Sequence, residues 1–239
     1  MRCSFFTPGD GMERITKQKY LSAAGLLLVA TAAVKVIGAV YKIPLTGLIG
    51  GTGRGYFSTA YTLFMPVHAI TLGAFPVALS GLVSKYHATG DSARVAALQR
   101  SARGLFFWVG LAGTALMVLL AGPYTRLVAG APKAVYTVLI LAPTALFSAM
   151  AAAHRAFAEG HLNMVPTSVC QVLEALFKMV FGLLFAKLSM GRLYQIYLDT
   201  GMVLGNRAES ETTALSMMYP VTAACAMLGV TLGALAAWV

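Results

Sequence analysis

Six apolar runs divide this chain. Each is close to or above the roughly 20 residues that a helix needs to cross a bilayer. They lie near 21–41, 56–83, 104–121, 134–153, 165–186 and 215–239. None alternates apolar and polar residues with period two, so barrel strands are excluded and the chain has to cross as helices. The expected fold class is therefore an all-α polytopic membrane protein with about six transmembrane helices. Only 11% of the 239 residues are charged and 58% are hydrophobic, a balance that a water-soluble domain of this length does not show. The second run is long enough to tilt or kink, and Pro66 and Pro76 are the places for a kink.

The formal net charge of +10 raises the question of nucleic acid. The basic residues are spread among the connections instead of forming one soluble face, which is the pattern of membrane topology and not of a nucleic-acid surface. Nine Lys and Arg residues fall on the side of the amino-terminal tail, from Arg2 to Arg155, and seven on the other side. Two more, Lys35 and Lys178, lie inside spans. The tail adjoins the first span, which weighs most in orientation. The expected placement is a multi-pass protein of the cell membrane with its amino terminus in the cytoplasm.

Residues 1–19 form a polar tail before a six-helix region over 20–239. The first eleven residues differ in character from the remainder of the tail and contain no signal peptide, and Met12 is the expected native start. The connection 90–103 is expected to form a short helix capped by Asp91, with a basic face of Arg94, Arg100 and Arg103. Between Lys187 and Thr213, the apolar piece 193–204 is too short to span and carries Asp199, so it is expected at the interface. The chain stops inside its last apolar run, as one half of something larger would.

Charges inside the runs point to function. A mid-span lysine costs about 2.5–3.5 kcal/mol on insertion scales. Lys35 lies roughly 21 Å along the axis from Leu21, at a depth where a cation normally faces protein or a watery cavity. Lys42 lies two turns later on the same face, near enough to Pro44 and the span end that snorkelling is an alternative. Glu174 and Lys178 stand four apart, the spacing of an intrahelical pair. They either neutralise one another or also line a cavity. Arg155 closes the fourth span, where a headgroup contact is the usual role. Arg54 in Gly50-Gly-Thr-Gly-Arg54-Gly55 has the same option, because that stretch lacks a phosphate-loop ending and reads as a turn between spans. Gly229 and Gly233 permit close helix packing. The three cysteines, Cys3, Cys170 and Cys225, have no paired spacing, and the four histidines show no metal-ligand pattern. No catalytic constellation, cofactor motif or metal site emerges, so the expectation is a non-enzyme.

Several of these stretches resemble the stage V sporulation protein B-like group. These are polysaccharide-biosynthesis transporters of the multidrug/oligosaccharidyl-lipid/polysaccharide flippase superfamily. The likeness runs through Lys35–Thr46, through Gly73-Ala-Phe-Pro76-Val-Ala-Leu-Ser80 and through Gly90-Asp91. It continues in Arg155–Met164 and in Gln171-Val-Leu-Glu174 with Lys178. Gly81, Lys85, Ala156 and Ala158-Glu159 depart from the group's pattern, and Lys178 stands where arginine is frequent. The resemblance implies two lobes around a central cavity, of which this chain would be the first lobe. It also implies a flippase for polyprenyl-pyrophosphate-linked saccharide precursors, serving cell-wall, spore-cortex or polysaccharide synthesis. The partners implied are the bilayer, the lipid-linked saccharide and a second-lobe chain. Lys35, Lys42, Glu174 and Lys178 would then line the cavity, with Lys35 indispensable to transport. Two other readings stand beside this one: half of a drug or cation antiporter, and a truncated non-transporting remnant or partner subunit. An antiporter cavity favours carboxylates, and Glu174 is the one acid inside the six runs.

Overall fold

The computed structural model describes residues 10–207 and 210–238, and for 10–24 the course of the backbone only. The expected start at Met12, the charges of the tail and Cys3 lie outside the residues whose side chains are described. The chain is an all-α polytopic membrane protein. Among the described residues, five helical stretches are long and apolar enough to cross a membrane.

The first stretch accounts for two of the six expected spans. Helix α1 (Asp10–Leu72) is interrupted at Gly50, whose φ of 64° and ψ of −178° are not helical. That region of backbone space is open essentially to glycine alone. A straight helix would hold Tyr41 and Tyr61 about 30 Å apart, yet both line one cavity. The chain therefore doubles back at Gly50, and α1 is two arms, 10–49 and 51–72. A Cβ at Gly50 would also fall 2.7 Å from Tyr219 Cζ, so a neighbouring helix closes around the hinge. The rest of the glycine-rich stretch is helical, not a flexible turn, and the first arm runs past residue 41 to the hinge.

The second arm stops at Leu72, and α2 (Phe75–Ala88) restarts with proline in its first turn. The kink thus falls at the Gly73–Ala74 junction before Pro76, where the missing proline N–H costs nothing, while Pro66 sits inside the helix. Helix α3 (Ser92–Pro123) is capped as expected: Asp91 accepts from the Arg94 amide at 3.1 Å and pairs with its Nε at 3.0 Å. No separate short helix forms, since nothing between Arg103 and Phe106 breaks the backbone ladder and α3 runs straight into the third span. The fourth span is broken into α4 (Val135–Leu141) and α5 (Thr144–Gly160) at Ala142–Pro143. Threonines of neighbouring helices bond the carbonyls at this break, although that of Ala142 already accepts from the Ala145 amide at 3.1 Å. Thr231 donates to the Ile140 carbonyl at 2.9 Å and Thr114 to the Ala142 carbonyl at 3.3 Å, as backbone in lipid requires.

Helix α6 (Val165–Thr200) is longer than expected, because the piece from 193 continues the helix to a left-handed cap at Gly201. A two-residue hairpin, β1 (Met202–Val203) with β2 (Asn206–Arg207), leads to α7 (Glu211–Trp238). The main core joins Leu63, Phe64 and Val67 of the second arm to Met117, Leu141, Met227 and Val230. A second cluster around Phe106, Val83 and the alanines of α5 holds α2, α3 and α5 together. A third, around Tyr41, Leu45, Ile49 and Ala186, ties the first arm to α6 and α7.

Candidate functional site

The doubled-back α1 makes the site. Its two arms and one face of α6 enclose a cavity of about 410 Å³. The first arm contributes residues between Val34 and Ile49, the second arm residues between Arg54 and Tyr61, and α6 contributes Ala175 and Lys178. The first-arm positions recur every three or four residues because one helical face is turned inward. All three charged groups of the lining are cations: Lys42, Arg54 and Lys178. Lys42 and Arg54 are exposed, whereas Lys178 is half-buried with Nζ 4.8 Å from the centre of the Tyr61 ring. A cation over an aromatic face is stabilised most where water is excluded.

Glu174 lies one turn from Lys178 but does not pair with it. Its carboxylate forms an ion pair with Arg155 Nη1 of α5 at 3.6 Å. The intrahelical pair suggested by spacing is thus replaced by an interhelical one. Guanidinium is long and forked and reaches across the α5–α6 gap, and the lysine is left to the tyrosine ring. Arg155, expected at a headgroup, is turned inward, with its side chain 22% exposed. Neither Glu174 nor Lys35 belongs to the cavity lining. Lys35 is exposed, lies along the first arm between the lining residues Val34 and Gly38 without itself belonging to the lining, and has no ion pair among the described residues.

Two tyrosines in the wall, Tyr41 and Tyr61, gave no sign of themselves in the hydropathy pattern. The one hint in the sequence is their near-symmetric placement about Gly50. Elsewhere, His87 and His161 lie with ring centres 4.8 Å apart where α2 meets the α5–α6 connection, and His161 Nδ1 hydrogen-bonds the Phe157 carbonyl at 2.9 Å. Among the described residues no three His, Cys, Asp or Glu side chains gather as a metal site held wholly by protein would need. Cys170 and Cys225 are free thiols.

The close approach anticipated at Gly229 and Gly233 is present. Gly229 packs directly on the backbone of Gly182 in α6, and Gly233 on the backbone at Glu174 and Lys178. Gly182 in turn lies against the Tyr41 hydroxyl, so one small residue lets α7, α6 and the first arm meet.

The profile of a family described as polysaccharide biosynthesis protein matches residues 21–199. The chain is 28% identical over 174 residues to the lipid II flippase MurJ of Bacillus subtilis (strain 168), covering 68% of this chain and 31% of that protein. It is 25% identical over 160 residues to the stage V sporulation protein B of the same strain, covering 67% of this chain and 31% of that protein. The chain thus spans about a third of the length of these relatives. No solved structure matches it.

Proposed function

The chain belongs to the polysaccharide biosynthesis protein family, and from that premise we propose that it is one lobe of a flippase. The cargo is a polyprenyl-pyrophosphate-linked saccharide precursor for cell-wall, spore-cortex or polysaccharide synthesis. The single observation that carries this reading is the cavity between the α1 arms and α6, whose charged lining is wholly cationic. A pyrophosphate cannot cross hydrocarbon unaided, and cations facing a watery cleft give it a compensated path. Lys42 and Arg54 take the phosphates, and Lys178 holds the inner end of the cavity positive. Lys35 extends the same helical face and draws the anion toward Lys42. Glu174 serves indirectly, by fixing Arg155 and leaving Lys178 free for the cavity.

Alternation between leaflets needs a second lobe to rock against this one, so a second-lobe chain or segment is the proposed partner. The amino terminus is placed in the cytoplasm, and a reporter fused after residue 90 is expected to read as cytoplasmic. An antiporter half is disfavoured because Glu174, the one acid inside the six apolar runs, is already committed to Arg155.

The test is complementation of a flippase-depleted strain. Lys42→Ala is expected to lower transport at least about tenfold, the loss of a charge-assisted contact of about 1.5–3 kcal/mol. Lys42→Arg keeps the charge and most of the activity. Lys35→Ala also impairs transport, by less than Lys42→Ala, with expression intact. Wild-type transport by Lys42→Ala would end this reading.

A further inference from the structure

Two histidines outside the cationic cavity take no part in the proposed transport. His87 lies in the last turn of α2, and His161 is the residue that follows α5. Packing brings them together. Gly160 sits so close to α2 that a Cβ there would fall 2.5 Å from Val83 Cβ and 2.9 Å from the Ser80 carbonyl oxygen. His87 stands one turn beyond Val83 on the same helical face, and His161 is next to Gly160. The two imidazoles therefore meet, with ring centres 4.8 Å apart and planes inclined by 59°.

The backbone after α5 holds His161 in place. Leu162 has a φ of 59°, in the left-handed region that a bulky side chain rarely enters. Its amide donates to the Glu159 carbonyl at 2.9 Å, and the Asn163 amide to the Ala158 carbonyl at 3.0 Å. Backbone strain of this kind persists only where its surroundings enforce it, and it clusters at functional sites.

Ring chemistry says what such a pair can bind. His161 Nδ1 lies 2.9 Å from the Phe157 carbonyl oxygen. A carbonyl only accepts, so Nδ1 carries the proton and Nε2 keeps its lone pair. Metal-ligating histidines are held in this way, with the other ring nitrogen donating to a backbone carbonyl. Two imidazoles on one divalent ion, each about 2.0–2.1 Å from it through nitrogen, put their ring centres about 4.5–5.2 Å apart for angles of about 90–110°. The observed separation falls within that interval. His87 is exposed and His161 half-buried, and both line a cavity of about 400 Å³ together with Ser92 and Gln99. That cavity has room for water in the remaining positions of an ion. The nearby acids are engaged elsewhere: Asp91 pairs with Arg94, and Glu159 accepts from Thr167.

We propose that His87 and His161 form a two-histidine site, completed by water, for a divalent first-row transition ion such as Zn²⁺, which joins α2 to the α5–α6 connection. Imidazole suits these ions, whereas Mg²⁺ and Ca²⁺ take oxygen ligands. The site does not depend on the flippase reading.

The full chain, purified in detergent without a polyhistidine tag and stripped by chelator, is titrated with zinc chloride and with magnesium chloride. Zn²⁺ is expected to bind and to raise the melting temperature, and Mg²⁺ to do neither. His87→Gln and His161→Gln are each expected to bind Zn²⁺ at least about tenfold more weakly and to melt as the wild type does in chelator. Cu²⁺ is the second probe, because its electron paramagnetic resonance spectrum counts the ligating nitrogens: two imidazoles in the wild type, one in each variant. For a variant that does not fold, labelling of the wild-type chain by diethyl pyrocarbonate decides instead, and Zn²⁺ is expected to protect both His87 and His161. A wild-type chain that binds no Zn²⁺, a folded variant that binds it as the wild type does, or equal labelling with and without Zn²⁺ would overturn the site.

Discussion

The most apolar stretches of helices α6 and α7 are equally hydropathic, and the two helices pack on each other more extensively than any other pair. Their fates are nonetheless opposite. In the most apolar stretch of α7, 56% of the residues are buried, against 11% in α6. What separates them is side-chain size. Along α7 the buried face is built mostly from alanine and glycine, with Thr222, Met218, Met227, Pro220 and Val230. The buried positions of α6 are Thr167, Ser168, Gly182 and Ala186, all small, while Leu173, Phe177, Val180 and Leu188 point outward. Lipid tails are as apolar as leucine, so burying leucine gains little inside a bilayer. Close backbone approach and hydrogen bonds decide which face turns inward. Helix α6 therefore shows bulky chains to its surroundings and closes on α7 through small ones, and its face at Lys178 opens on the cavity.

Three substitutions would sharpen or break that contrast. The largest effect is expected at Gly229→Leu, which would drive a side chain into the backbone of Gly182. Overpacking at such a contact should cost about 3 kcal/mol, read as loss of the monodisperse species and a steep fall in thermal stability. A fully stable Gly229→Leu protein would mean that the α6–α7 contact is not what holds the lobe. Thr231→Val keeps the shape but removes the donor to the Ile140 carbonyl and the 3.0 Å contact with Thr144. Here the expected loss is about 0.6–1.7 kcal/mol, the range of interhelical hydrogen bonds in membranes, measured by unfolding in mixed micelles. The smallest effect is expected at Val180→Leu on the outer face of α6, where 53% of the residue is exposed. Stability should stay within about 0.5 kcal/mol, and a larger loss would show that this face is covered.

The charges obey a different rule from the apolar faces, and the difference shows in Glu174. Its spacing from Lys178 along one helix promised a pair, but Arg155 from α5 takes the carboxylate. Spacing within a helix gives the partners a side chain can reach locally. It is silent about a longer side chain arriving from another helix. Lys35 shows the same limit. Its depth and helical face were readable from the chain, but its neighbours Val34 and Gly38 line the cavity while Lys35 does not, and Lys42 is the first-arm cation that enters the lining. Tyr41 and Tyr61 left no trace in the chain beyond their placement about Gly50, because a tyrosine in an apolar run looks the same whether its hydroxyl is paired or buried without a partner.

Hydropathy and backbone hydrogen bonding act over contiguous residues, so the membrane, the helices and their approximate number could be read from the chain alone. The breaks at Pro76 and at the Asp91 cap were legible for a related reason, since local backbone chemistry leaves few choices there. The glycine-rich stretch at Gly50 announced a reversal between spans, although the reversal takes a single residue and not a loop. Which charges meet, which remain free and where the cavity lies were settled in three dimensions. Those outcomes depend on distances between side chains far apart in the chain, and the hinge at Gly50 sets them by folding one long helix against itself.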